Sequence, residues 1–550
     1  MKEKNIILSS KNWSQLNDQL SQLTLYDQTV LGGSTFALFV KYYLETSPIY
    51  KSKLKNVWLL DEVGDVIKKK LNLPRRDEGI DLIAETNDNK YWAIQAKYRS
   101  DNNSTLTVSG KGSLASFNNL AFGHCKNIHF GLVATTVNKP PKKSYLLNKN
   151  IGYLTQDTWL AIDDNFNNQW GYIIDKAKNN SIKYIKEEPK PHQVNAIEDC
   201  IQHFKKEDKG KIFMPCGTGK TLVSSIIARK INAKSVLIVV PSLNLISQML
   251  KHWTKEYSSD NIPSEWLIVC SDQTIADDRN NDTFKGFIYE LGIPTTTNVN
   301  EVKEFLELES KKIKIIFVTY QSSRIIFLAN RLTNFKFDLA IFDEAHKTVG
   351  HKNKAKATLL QDINIKIGKR LYMTATERVF KKNDDTYISM DNENIYGKTI
   401  HSLSYKEAIQ QKNPIISDYK IITFEITDKE IEESVNSNQF IEIKKYINNL
   451  TAREFAAALG LRKAIKELKI KNAISFHRSI KRAKNFKTQQ DLISKVYSEY
   501  KDLNTFHISG EMKISERINQ ILSFTKNHGL ITNSRCLTEG VDIPAIDCVC

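Results

Sequence analysis

Residues 211–231 read KIFMPCGTGKTLVSSIIARKI: a short apolar strand, a glycine-rich turn and an apolar helix in direct succession. Gly217 and Gly219, with Thr218 between them, let the backbone turn tightly and aim its N–H groups inward, at the positive end of the following helix. Lys220 can reach the outer phosphates of a nucleotide, and Thr221 can offer a hydroxyl to Mg²⁺. The pattern usually has another Gly six places before the lysine; here that place is Met214. The context, strand then loop then helix, predicts a phosphate-binding loop.

Around it, the runs SVLIVVP, WLIVC, KIIFVTY, FDLAIFD and KRLYMTA alternate with helical segments from residue 190 onward. Apolar strands of that kind predict a parallel sheet buried on both faces. At 337–346, FDLAIFDEAH is such a strand ending in two carboxylates. Asp343 is placed to hold Mg²⁺ and Glu344 to orient and deprotonate a water. Asp-Glu after a strand is also an ordinary solvated turn, but Ala345 and His346 complete the set DEAH. Thr374 and Thr376 follow the next strand, and Pro191-His192-Gln193 sets the Gln193 amide where it can pair with adenine. A stretch reading as largely helical, 428–470, precedes a second α/β run from 473.

The N-terminal part has a different texture. Residues 1–70 read as helical, with apolar spacing in TFALFVKYYLE and VWLLDEVGDVIKKK. Residues 79–99 read as two strands around Asn87-Asp88-Asn89, and IHFGLVA at 128–134 as another. Asp81 begins the first strand; Gln95 and Lys97, two apart, share a face of the second. Such a hairpin can gather an acid, a carbonyl ligand and an ammonium around one Mg²⁺. Polar punctuation falls at 176–191, read as a linker, at 271–300, read as a surface insertion, and near 401–415, before the strand-like YKIITFEI.

The 550 residues leave room for three or four domains. The formal charge is +17, from 79 Lys and Arg against 62 Asp and Glu. That balance favours a polyanionic partner, nucleic acid first, although abundant lysine raises it without any site. No apolar run approaches the roughly 20 residues of a membrane span. Seven cysteines are scattered without C-x-x-C spacing, which reads as free thiols in a reducing cytoplasm.

In order along the chain stand PHQ, GTGKT, VVPSLNLISQ (239–248), VTYQSS (318–323), DEAH, TAT, ISFHRS (474–479), HISGEM (507–512) and TEGVDIP (538–544). This series resembles the superfamily 2 helicases and translocases, closest to the DEAH-type motors of restriction enzymes. Asp81…Gln95-Ala-Lys97 resembles the Mrr-like branch of the PD-(D/E)xK nucleases, in which Gln replaces the second acid. Nuclease first and motor second is similar to the single-chain Type ISP restriction-modification enzymes. The resemblance implies a Mrr-like nuclease domain at 1–175, a linker at 176–189 and a RecA-like, ATP-binding lobe at 190–405. A second RecA-like lobe then spans 406–550, incomplete and with a helical insertion near 428–470. It also implies that Gly540 and Asp542 respond to nucleotide, and that Ser242, Thr319 and Gln321 lie in segments touching the phosphate backbone.

The implied activity is ATP-driven translocation on double-stranded DNA coupled to Mg²⁺-dependent cleavage, in the restriction half of a cytoplasmic bacterial defence enzyme. A methyltransferase and a target-recognition domain are expected C-terminal in the same polypeptide. Two departures stand out. The arginine motif that follows TEGVDIP in the family lies beyond Cys550, so residues 1–550 are expected to be a fragment that hydrolyses ATP poorly unaided. Relatives carry Glu after an early Phe, whereas Phe36 is followed by Ala37. The alternative is a repair or remodelling helicase whose nuclease-like domain only binds DNA.

Overall fold

The computed structural model describes residues 2–74, 78–102, 104, 106, 113–138, 150–163, 168–270, 288–351, 355–380, 386–422, 429, 451–497, 503–510, 512, 514–534, 537 and 546–550. These fall into two compact units, 1–274 with 287–418, and 275–286 with 419–550.

The N-terminal part of the first unit is built on a five-stranded sheet. Its strands are β1 (Leu54–Leu59), β2 (Leu82–Thr86), β3 (Tyr91–Lys97), β4 (Ile128–Thr135) and β5 (Ile151–Leu154), in that spatial order. The first three run antiparallel, and β3, β4 and β5 run parallel. β1 occupies part of a stretch expected to be helical. Its apolar run is too short to show a period, and pairing with β2 decides the conformation. One face of the sheet packs on the helix Gly33–Thr46 through an aromatic cluster in which Trp13 and Phe39 lie 4.9 Å apart and Phe36 meets Trp159 edge-on at 5.6 Å. The opposite face buries Ile83, Ala93 and Val133 against Phe117.

The second sheet carries the phosphate-loop strand. Its members are β6 (Lys209–Phe213), β7 (Ser235–Val240), β8 (Ser264–Val269), β9 (Ile313–Thr319), β10 (Phe337–Asp343), β12 (Ile367–Thr374) and β14 (Lys398–Ser402), ordered β14-β6-β12-β10-β7-β9-β8. Every pairing in it is parallel. The short strands β11 (Gly350–His351) and β13 (Tyr387–Ile388) pair separately. β6, β10 and β12 end side by side, which brings GTGKT, DEAH and TAT to one edge of the sheet, the edge where open α/β sheets bind ligands.

The five-stranded and seven-stranded sheets belong to the same unit, and residues 180–190 between them are laid down along it without regular structure. Tyr184 donates to the Thr46 carbonyl at 2.7 Å. Lys186 pairs with Asp260 at 2.7 Å, and Glu187 with Lys255 at 2.7 Å and His252 at 3.3 Å. Hydrogen bonding to His252, together with Lys255, draws the Glu187 carboxyl down to about 2 against the cost of its burial.

Residues 288–296, expected on the surface, are partly interior. Ile293 is buried, Tyr50 donates to the Gly292 carbonyl at 3.0 Å, and Thr296 bridges to Val269. Beside them Trp266 is fully buried, its indole N–H donating to Ser52 at 2.8 Å with Lys53 over its ring. Trp266→Ala is therefore expected to destabilise the unit by roughly 3–5 kcal/mol, read as a lower denaturant midpoint.

The second unit is a four-stranded parallel sheet of β15 (Asn472–Phe476), β16 (Thr505–Ile508), β17 (Gly529–Asn533) and β18 (Cys548–Val549), ordered β16-β17-β15-β18. The helices Ala452–Glu467, Ile480–Val496 and Ile514–Asn527 accompany it. The strand expected over 419–426 is not present at 419–422, and its remaining residues lie outside the described ones. Among the described residues no helix is long and apolar enough to cross a membrane.

Candidate nucleotide and nuclease sites

Gly217 and Gly219 sit at φ +80° and +82°, left-handed conformations that glycine adopts without strain. A Cβ on Gly219 would fall 2.1 Å from the Gln193 amide nitrogen. That amide donates to the Thr218 carbonyl at 2.9 Å, while its oxygen accepts from the Lys190 N–H at 2.8 Å. His192 reaches the same Thr218 carbonyl at 3.0 Å, a part in the loop not foreseen for it although it adjoins Gln193 in PHQ. Here Gln193 braces the loop from behind, its oxygen and one amide proton engaged. Gly219→Ala adds strain and a clash at once; the expected result is a loss of nucleotide affinity of at least tenfold in a titration with Mg·ADP.

Lys220 opens the helix Lys220–Lys230, with Thr221 next in its first turn. The Lys220 ammonium donates to the Met214 carbonyl at 3.2 Å and lies 4.0 Å from the Glu344 carboxylate. Asp343 ends β10 only 5% exposed, and among the described residues its Oδ1 has no hydrogen-bond partner. Burial, reinforced by the neighbouring Glu344, pushes its carboxyl up to about 7. A buried carboxylate oxygen without a hydrogen-bond partner, at the sheet edge that carries the phosphate loop, suits a divalent cation.

Glu344 turns into the left-handed region at φ +49°. Burial opposes its charge, but His346, Lys220 and Lys347 outweigh that and hold the carboxyl below its usual range. His346 Nδ1 lies 3.3 Å from Glu344 and 2.9 Å from the Thr374 hydroxyl. Thr374 in turn bonds Thr376, so DEAH and TAT form one polar chain. Ser242 caps the helix Leu243–Ser259, and the Thr319 hydroxyl donates to Ser322, so both also hold local structure. Gly540 and Asp542 lie outside the described residues.

In the five-stranded domain, Asp81 precedes β2 and accepts from the Ala96 N–H at 2.8 Å. The β2–β3 register pairs Leu82 with Ile94 and so sets Asp81 beside Gln95, on the face that alternation also gives to Lys97. Gln95 is 2% exposed, its amide donating to the Gly79 carbonyl at 2.9 Å, and its Oε1 has no partner among the described residues. An orphaned amide oxygen beside a carboxylate fits the expected ligand set. Asp81 and Lys97 open onto a cleft of about 1070 Å³ that Ala37 also lines. The helix position where relatives carry Glu therefore does face this cleft. Glu62, in the turn that follows β1, is paired with Lys41 and accepts from the Leu59 N–H.

Three family models match the chain in the order this architecture requires. A restriction endonuclease model covers residues 45–151, the Type III restriction enzyme res subunit model covers 186–379, and the helicase conserved C-terminal domain covers 457–550. The matched segments are thus a restriction endonuclease domain followed by helicase domains. A solved structure, the ATP-dependent Type ISP restriction-modification enzyme LlaBIII bound to DNA, shares its fold across 98% of the chain. The TM-score is 0.73 at 23% identity, and the match covers 35% of that protein.

Among curated relatives, the probable helicase A859L of African swine fever virus (isolate Pig/Kenya/KEN-50/1950) is 25% identical over 368 residues, 66% of this chain. The DNA 3'-5' translocase XPB2 of Sulfurisphaera tokodaii is 26% identical over 343 residues, 61% of this chain and 59% of its own length. The chain spans 37% of the length of the viral relative. The helicase and nuclease domains imply use of a nucleotide and of a divalent metal.

Proposed function

We propose that the chain is the ATP-driven, double-stranded DNA-translocating and Mg²⁺-dependent DNA-cleaving part of a bacterial, cytoplasmic restriction enzyme. The observation that carries this reading is the meeting of Lys220, Asp343, Glu344 and His346 at one sheet edge, in the same unit as the Asp81–Gln95–Lys97 hairpin. At the motor site the loop N–H groups and Lys220 hold the phosphates, Thr221 and Asp343 hold Mg²⁺, and Glu344 orients and deprotonates the attacking water. At the nuclease site Asp81 and the Gln95 oxygen hold Mg²⁺, and Lys97 positions the water and offsets charge on the phosphodiester. When bound, the cation would supply charge neutralisation of the phosphates at the first site and activation of water at the second. Gly540 and Asp542 belong to the nucleotide-responsive loop of the second lobe, and a methyltransferase and target-recognition domain complete the polypeptide.

The test uses the full-length polypeptide on linear duplex DNA bearing a triplex-forming third strand. ATP-dependent displacement of that strand, with Mg²⁺-dependent cleavage, is expected. Absence of displacement together with DNA-independent ATP hydrolysis would overturn the translocase reading. Ala37 is the observation that favours the alternative, a DNA-binding domain with a degenerate nuclease site. Absence of Mg²⁺-dependent cleavage in an actively translocating enzyme would establish that alternative instead.

A further inference from the structure

The cleft onto which Asp81 and Lys97 open carries charges of both signs. Lys68, Lys97 and Arg99 suit a phosphodiester, whereas Glu3 and Asp61 line it as carboxylates further to Asp81. A carboxylate on the wall of a cleft that takes a polyanion repels it, unless a cation lies between the two. The three acids beside β1 and the neighbouring helices are differently engaged. Glu3, on the helix Lys2–Ser9, accepts from the Ser34 hydroxyl at 3.3 Å. Glu62 is spent on Lys41 and the Leu59 N–H. Asp61 is exposed, and among the described residues it has neither a hydrogen-bond nor an ion-pair partner.

The backbone sets Asp61 close to Asp81. The β1–β2 ladder pairs Leu59 with Leu82, and the Leu60 N–H extends it by bonding the Asp81 carbonyl at 2.9 Å. Asp61 is the next residue, in a single tight turn, Leu60–Glu62, that the Glu62 carboxylate closes from one side and buried Val63 from the other. Asp61 thus adjoins the backbone partner of Asp81, and both residues line the same cleft. On the other side of Asp81 stands Gln95, 2% exposed, with its Oε1 unpartnered among the described residues. That orphaned oxygen points to a cation independently of the acids.

We infer that Asp61 is a second carboxylate ligand of the nuclease cation, supplying from the end of β1 the charge that Ala37 does not supply from its helix. This rests on the metal-dependent nuclease reading above and adds a ligand to it. Mg²⁺ sites commonly take one or two carboxylates, completed by water and phosphate. Asp61 and Asp81 together balance the charge of a divalent ion, and the Gln95 oxygen adds a neutral donor.

The test is titration of the full-length polypeptide with Mn²⁺ in the absence of nucleotide, the free ion being read by electron paramagnetic resonance. Asp61→Asn removes a charge and no protein contact, so the fold is expected to be kept. Mn²⁺ binding at the site that Asp81→Asn abolishes is expected to weaken at least about tenfold. Glu3→Gln is expected to leave it unchanged. Cleavage by Asp61→Asn is expected to need correspondingly more Mg²⁺ and to recover when Mg²⁺ is raised. Unchanged Mn²⁺ affinity in Asp61→Asn, with loss in Asp81→Asn, would overturn the role of Asp61 and leave the metal site standing. Loss in Glu3→Gln but not in Asp61→Asn would also overturn it, moving the second acid to the N-terminal helix. If neither Asp81→Asn nor Asp61→Asn alters Mn²⁺ binding, the metal-dependent reading itself fails, and the role of Asp61 with it.

Discussion

Lys220→Ala is expected to cripple ATP hydrolysis and, with it, the proposed translocation and restriction, while DNA cleavage chemistry at the other site stays intrinsically competent. The ammonium stands where the strand, the loop and the DEAH carboxylate converge, 3.2 Å from the Met214 carbonyl and 4.0 Å from Glu344. In the proposed mechanism it is the cation that meets the phosphates as negative charge shifts toward the leaving group. Removing one such stabilising group costs about 10²–10³ in turnover, or about 3–4 kcal/mol of transition-state stabilisation. Its loss also leaves Asp343 and Glu344 adjacent, with a compensating charge removed. The measurement is phosphate release at saturating duplex DNA. An ATPase rate within tenfold of the unsubstituted enzyme would contradict the assignment of Lys220.

Lys97→Ala is expected to separate the two proposed chemistries. Lys97, at the end of β3, lines the cleft shared with Asp81, and Gln95 two residues earlier is locked to Gly79. Without the ammonium, the water is left unpositioned and the charge on the phosphodiester unmatched, and cleavage is expected to fall by about 10²–10³. ATP hydrolysis and third-strand displacement are expected to match the unsubstituted enzyme, because the motor edge draws none of its groups from β3. Plasmid linearisation assayed beside ATP turnover checks both statements. Cleavage retained in Lys97→Ala would remove the Asp81–Gln95–Lys97 assignment and leave the motor assignment standing.

The motor lobe was legible in the sequence because its strands are buried on both faces and therefore appear as unbroken apolar runs. Lys398–Ser402 escaped for the opposite reason. As an edge strand reading KTIHS, it carries polar and exposed residues, and only its pairing with β6 makes it a strand. Val57 to Leu59 were misread because a few consecutive apolar residues suit helix and strand alike. The phosphate loop and DEAH were readable because their chemistry demands fixed spacing at a strand end. Gln193 was read as a partner for adenine, whereas the Thr218 carbonyl that engages its amide comes from another element and leaves no trace in local sequence.

The strap formed by Tyr184, Lys186 and Glu187 bears on where a cut falls. A cutting domain hung on a loose chain sweeps a volume, and its products scatter over the arc that the chain permits. Here the peptide between cutter and motor is tied down at both ends, and Trp266 and Tyr50 fasten the two bodies directly. If the motor advances along DNA, the cutter advances in step at a constant offset. The ends produced when the motor halts would then cluster within a narrow range of base pairs from the halting point.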